Sequence, residues 1–204
     1  MIVNLCIVTR NKSIHVTTLH SAMNMNMFCM SKGIHVDTIF VNDRSGINKY
    51  MKNCDRLVWI DYGVSIDIET VKKFLEEFPD NCKVLIGPCV TEGIDWEMFK
   101  KKTLEGSQEP VEQRGLRFDT VINPTKNKDI GEFVSSTTDG RVFAMDTKSV
   151  LKKLRDSDSQ YKSMEHLKKI GVKIGVLRST SVLCHYVHES IGNILESSGV
   201  RAGP

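Results

Sequence analysis

Chemistry is first expected in this 204-residue chain in the segment Asp55-Arg56-Leu57-Val58-Trp59-Ile60-Asp61-Tyr62-Gly63. Residues 56–60 read as an apolar strand that delivers one carboxylate, Asp61, to the binding edge of a sheet. A carboxylate there can hold a divalent cation, and the cation can neutralise a diphosphate leaving group. Gly63, two residues on, permits a tight turn or the close approach of a ligand. The plainer alternative is that Asp61 caps the loop before a helix starting at Ile68. Arg10, in the polar run Thr9-Arg10-Asn11-Lys12, has the planar fork that grips phosphate oxygens, and a surface ion pair is the equal alternative. Near the carboxyl end, Cys184-His185-Tyr186-Val187-His188-Glu189 sets two histidines three positions apart. A neutral imidazole suits Mn²⁺ beside carboxylate and phosphate oxygens, with a structural or surface role as the alternative. Two further carboxylates stand in Phe118-Asp119 and in the turn signal Asp139-Gly140, which also reads as a type I′ hairpin.

The elements that must position these groups follow from hydrophobic spacing. Short apolar runs over 2–8, 35–41, 56–60 and 83–86 read as strands, and helical periodicity predicts helices over 16–31, 47–53 and 68–78. In the first helix Leu19, Met23, Met27 and Met30 recur at three- and four-residue intervals and are expected to fill the core, with Gly33 as the stop. Alternating strands and helices imply a mixed, mainly parallel central sheet flanked by helices, an α/β fold in one domain. Ligands of such sheets bind beyond the carboxyl ends of the strands, so the loops 9–12, 42–44 and 61–63 should converge. After residue 110 the alternation weakens: strands are expected over 118–122, 133–136 and 142–145, the last closing a hairpin at Asp139-Gly140. Helices over 147–154 and 161–170, a strand over 172–177 and a segment over 182–187 complete the pattern. The domain is expected to span 1–196, with 197–204 as a tail or linker to a following domain.

Composition excludes some function classes. With 28 basic and 25 acidic residues the formal charge is +3, too balanced for the footprint of a general nucleic-acid binder. The cluster Lys100-Lys101-Lys102 lies between Glu97 and Glu105 and reads as a solvated helix face. The six cysteines, Cys6, Cys29, Cys54, Cys82, Cys89 and Cys184, form no C-x-x-C pair and suit a reducing, cytoplasmic setting. No secretory signal and no membrane span are expected.

The segment ending in Asp61 resembles the strand and D-x-D element of GT-A glycosyltransferases, nucleotide-sugar enzymes with a Rossmann-like fold. Gly63 stands where that family carries its second aspartate, so Asp61 would have to take over metal coordination. The resemblance implies a first loop, Thr9, Arg10, Asn11 and Lys12, that grips the nucleotide, and a second, Asn42-Asp43, near base or ribose. It implies a late histidine ligand, for which His185 is first choice and His188 second, and donor contacts from Tyr62, Gly63 and Arg141. Asp139 and Asp119 become the candidates for catalysis on the sugar and acceptor sides. Residues 1–189 further resemble the amino-terminal domain of large multidomain glycosyltransferases of chlorella viruses, which implies one module of a longer viral chain. The implied reaction is metal-assisted transfer of a hexose or deoxyhexose, of glucose or rhamnose type, from a UDP-sugar to a hydroxyl of a glycan or glycoprotein, leaning to retention. Mn²⁺ or Mg²⁺ is the implied cofactor. A non-catalytic nucleotide-sugar or glycan-binding domain is one alternative. A nucleotidyltransferase is another, against which stands the lack of glycine in residues 9–13.

Overall fold

The computed structural model describes residues 1–91, 95–107 and 114–178, and the backbone of the pair 183–184. In chain order the elements are β1 (Ile2–Val8), α1 (Val16–Ser31), β2 (His35–Val41), α2 (Ile47–Tyr50), β3 (Arg56–Ile60), β4 (Val64–Ser65), α3 (Ile68–Leu75), β5 (Val84–Gly87), α4 (Trp96–Leu104), β6 (Thr120–Pro124), β7 (Ile130–Ser136), β8 (Val142–Asp146), α5 (Thr147–Asp156), α6 (Met164–Lys169), β9 (Ile174–Leu177) and β10 (Leu183–Cys184).

One eight-stranded sheet runs in the order β2-β1-β3-β8-β5-β9-β7-β6. The strands β2, β1 and β3 are parallel, β8 is antiparallel to both β3 and β5, and β5 is parallel to β9. The hairpin β6 and β7 closes the far side with antiparallel pairing. The sheet is therefore mixed, and its parallel character is confined to the β2-β1-β3 half and the β5/β9 pair, which narrows the expectation of a mainly parallel sheet. β7 and β8 do not pair with each other. The Asp139-Gly140 turn has the positive φ of such a turn, 58° and 72°, but it leads β8 across the sheet into the gap between β3 and β5.

Strands β1, β3 and β8 alternate between two cores, as strands buried on both faces must. Val3, Leu5, Ile7, Val58, Ile60, Val142 and Ala144 meet α1 and α3, whereas Cys6, Leu57, Trp59, Phe143 and Met145 meet α5 and α6. Cys6, Cys29, Cys54, Cys82 and Cys89 are buried. Burial and then the neighbouring Cys54 push the Cys6 thiol up to about 12, so it packs as a small hydrophobe.

Helix α1 has the expected bounds. His15 caps it by accepting from the Thr17 N–H, and its end is a Schellman closure: Gly33 N–H reaches Met30 O at 3.1 Å, Ile34 N–H reaches Cys29 O at 2.9 Å, and Gly33 has φ 65°. Its buried face differs from expectation. Thr18, Ser21, Ala22, Met25 and Cys29 are buried, while Leu19, Met23, Met27 and Met30 are exposed. Ser21 decides the rotation, because its hydroxyl accepts from Ile66 N–H at 2.9 Å and donates to Ile66 O at 3.3 Å. No described helix is long and apolar enough to cross a membrane. The boundary expected at 196/197 lies outside the described residues.

Candidate functional site

Because β2, β1 and β3 are adjacent and parallel, the loops after all three open on one edge. The start of β8 arrives there too: Val142 lies opposite Ile60, and Asp61 N–H donates to Arg141 O at 2.9 Å. The sequence thus brings Thr9, Asp43, Asp61, Asp139 and Arg141 to a common rim.

The first loop is a two-residue turn. Arg10 and Ser13 exchange backbone hydrogen bonds of 3.0 and 2.8 Å, with Asn11 at φ 50° and Lys12 at φ 61°. Positive φ at both central positions is type I′ geometry. The amides of Arg10 and Ser13 are consumed by the turn, and the loop's positive charge lies on the side chains of Arg10 and Lys12. Thr9 ties this loop to the next, its hydroxyl donating to Asn42 Oδ1 and Val41 O, both at 3.2 Å. Between them opens a cleft of about 440 Å³ lined by Thr9, Lys12, Ser13, Ile14, Phe40 and Asn42. Asp43 accepts from Ser45 N–H at 2.8 Å and from the Ser45 hydroxyl at 2.5 Å. Those two bonds hold its carboxyl below the usual carboxylate range.

Asp61 follows directly from strand β3. Its Oδ1 accepts from Tyr62 N–H at 2.9 Å, and Val64 N–H donates to Asp61 O at 3.2 Å, closing a turn whose third residue is Gly63 at φ 76°. That backbone conformation favours glycine and disfavours the aspartate of a D-x-D motif. Capping of α3 falls to Asp67, which accepts from Thr70 N–H at 2.7 Å, so Asp61 is released from the structural role open to it in the sequence. Tyr62 links the first loop to the third: the Arg10 guanidinium lies 5.1 Å from its ring centre and His15 meets it edge-on at 5.7 Å.

Arg44 is the residue whose part in the site the sequence did not disclose. One of its amino nitrogens, Nη1, donates to Asp139 O at 2.7 Å and to Asp139 Oδ2 at 3.1 Å. The other donates to Gly140 O and stands 3.9 Å from Asp61 Oδ2. Its guanidinium lies over Trp59 and Phe143, 5.6 and 5.5 Å from their centres, and these two rings form a parallel cross-strand stack. Its signal in the sequence was position alone, directly after a strand end in a loop already pointed at the edge.

The two carboxylates expected to be catalytic, Asp139 and Asp119, both accept hydrogen bonds within the fold. Asp139 accepts from Arg44, from the Tyr161 hydroxyl at 2.6 Å and from Met164 N–H at 2.5 Å, which anchors α6 to the β8 turn. Burial, followed by the Asp139 charge, pushes the Tyr161 hydroxyl well above its usual range, so it remains a donor. Asp119 is 1% exposed and accepts from Cys89 N–H at 3.0 Å, the Thr120 hydroxyl at 2.9 Å and the Thr138 hydroxyl at 2.6 Å. A general base must reach the proton it takes; Asp119 is enclosed by its donors, whereas Asp139 keeps 27% of its side chain exposed.

His185 and His188 lie outside the described residues. β10 ends at Cys184, opposite Val64. Among the described residues no group of three or more His, Cys, Asp or Glu could hold a metal ion. A magnesium-type cation needs only one or two protein carboxylates when substrate phosphates supply the rest.

No protein-family model matches the chain, and no curated protein matches it. Among solved structures, the protein A197 from STIV is similar at 14% identity and a TM-score of 0.47, over 89% of this chain and 84% of that one. A Bacillus anthracis protein described as a glucose-1-phosphate thymidylyltransferase is similar at 13% identity and a TM-score of 0.47, over 100% and 97%. The 4-diphosphocytidyl-2C-methyl-D-erythritol synthase of Anaerococcus prevotii follows at 11% identity and 0.42, over 86% and 87%. With TM-scores below 0.5 these likenesses assign no activity. Function rests on the edge itself.

Proposed function

We propose that this chain is a nucleotide-sugar glycosyltransferase that binds a UDP-sugar across the carboxyl edge of β1, β2 and β3. The observation that carries the reading is the cleft beside Thr9 and Asn42, with Asp61 at the end of the next strand along the same edge. Phe40 and Ile14 give the cleft an apolar wall for a planar base, while Thr9 and Asn42 supply polar partners that fix its orientation. Asp43, held ionised, faces the ribose hydroxyls, and Arg10 and Lys12 flank the diphosphate. Asp61, with His185, would hold Mn²⁺ or Mg²⁺, which when bound offsets the charge of the diphosphate. The protein's own part is to orient the donor so that a glycan hydroxyl, and not water, meets the sugar carbon. With Asp119 and Asp139 committed to internal bonds, the proton of the attacking hydroxyl passes to a leaving phosphate oxygen, which accords with retention of configuration. A hexose or deoxyhexose is the donor class. The likeness to the chlorella-virus enzymes extends this reading to one module of a longer chain.

A second reading has its own support. Gly63 in the turn and the engagement of both candidate acids favour a domain that binds a nucleotide sugar without turning it over. Calorimetry with a panel of UDP-sugars, with and without Mn²⁺, tests both. Binding that strengthens with Mn²⁺ and UDP release with an acceptor support the transferase. Binding without UDP release supports the second reading, and no binding of any UDP-sugar removes both.

A further inference from the structure

Helix α1 is apolar on both of its sides. Toward the sheet it buries Ala22, Met25 and Cys29, and toward solvent it turns Val16, Leu19, Met23, Met27 and Met30, which are 78%, 38%, 55%, 66% and 78% exposed. None of its sixteen residues is Asp, Glu, Lys or Arg. A surface helix ordinarily directs a polar face outward, but here the outward polar residues His20 and Asn24, hydrogen-bonded to each other, only flank an apolar row. Contiguous exposed apolar surface of this kind marks an interaction site.

The spacing of the exposed residues names the occupant. Positions 16, 19, 23, 27 and 30 read the same in both directions: Val16 and Met30 lie seven residues either side of Met23, and Leu19 and Met27 lie four either side. Two copies of α1 crossing antiparallel on a two-fold axis at Met23 therefore match every one of them. Met23 meets Met23, Leu19 meets Met27, and Val16 meets Met30. This is the self-complementary geometry of an isologous interface. A helix without charge also meets its own copy without like-charge repulsion, which identical charged faces cannot do. We propose that α1 is a homodimer interface, an antiparallel helix pair centred on Met23. The helix spans roughly 24 Å. Its outer face offers an apolar patch on the order of 500 Å², against about 800 Å² per partner in a standard interface. The association is accordingly weak and depends on concentration, and methionines suit it because they repack readily.

Sedimentation equilibrium on the 204-residue chain tests this. A monomer–dimer equilibrium in the micromolar range is expected. Met23→Glu sets two carboxylates face to face on the axis and weakens dimerisation by about a hundredfold, with circular dichroism and melting temperature unchanged because the side chain points outward. Under mild oxidation Met23→Cys links to its own copy. Val16→Cys does not link to itself, but a mixture of Val16→Cys and Met30→Cys does. A wild-type chain that stays monomeric at every concentration overturns the proposal, and so does a Met23→Glu chain that dimerises as well as wild type. Self-linking by Val16→Cys as fast as by Met23→Cys also overturns it. Binding to phosphatidylserine vesicles by a chain that remains monomeric would make the face a membrane surface instead.

Discussion

Asp61 and Asp139 sit at the facing ends of neighbouring strands, reach toward the same arginine and are almost equally exposed, at 28% and 27%. Exposure does not separate them, but their donors do. Asp139 accepts from a guanidinium, a phenol and a backbone N–H, three groups from two segments, the β2 loop and the stretch leading into α6. Among the described residues Asp61 accepts at short range only from the amide that follows it, with Arg44 at 3.9 Å from its other oxygen. Asp119, on the far side of β8, extends the pattern of Asp139 to near-complete burial. A carboxylate whose oxygens are filled by the fold holds segments together, and one left with capacity at a strand end can meet a ligand.

That contrast is open to test by substitution, and stability should fall most where the fold uses the carboxylate most. Asp119→Ala removes the buried acceptor shared by Cys89 N–H and the Thr120 and Thr138 hydroxyls, and a loss of about 4 kcal/mol, or roughly 10 °C in Tm, is expected. A loss below about 1 kcal/mol on denaturant unfolding would mean that Asp119 is no joint. Arg44→Met keeps the packing over Trp59 and Phe143 but removes the cation. About 2 kcal/mol should be lost, and an unchanged urea midpoint would break the proposed clamp between the β2, β3 and β8 loops. Tyr161→Phe removes one donor from Asp139 and should cost about 1 kcal/mol, measured the same way.

Asp61→Ala should leave stability within about 0.5 kcal/mol of wild type, yet lose Mn²⁺-dependent binding of a UDP-sugar in calorimetry. A large loss of stability with unchanged donor affinity would place Asp61 beside Asp139 as a structural acceptor and end the contrast. The smallest effect concerns pH. The folded carboxyl of Asp43 is lowered by its Ser45 bonds, so its contribution is present above the unfolded value of about 3.9 and fades as pH falls through the lower folded one. Asp43→Asn should flatten the acid limb of the stability curve in that window, and superimposable limbs would show that the Ser45 bonds contribute nothing.

Much of this architecture was legible because it is local. The strands over 2–8, 35–41 and 56–60 and the helix over 16–31 follow from apolar runs, caps and Gly33, all set by residues within a few positions of one another. The convergence of the loops after β1, β2 and β3 follows from the parallel half of the sheet, as does the delivery of Asp61 to its edge. The same local signals failed where an element has two equivalent choices. In α1 both stripes are apolar, and with no charge to mark the outside, periodicity pointed to Leu19, Met23, Met27 and Met30 as core. Ser21, through its bonds to Ile66, turned the other stripe inward.

Helix α5 makes the reason plain, for there Val150 and Leu154 are buried and Lys148, Lys152 and Arg155 face water, so its orientation could be read directly. The sequence alone determined most of the strands and helices and placed Asp61 at the end of one of them, because these depend on short-range spacing. Tertiary structure decided which carboxylates stay open. Arg44 meets Asp139 across 95 residues, and Cys89 and Thr138 fill Asp119 from 30 residues before it and 19 after. A carboxylate has the same acceptor capacity wherever it stands in the chain, and only the folded neighbourhood sets how much of it remains for a ligand.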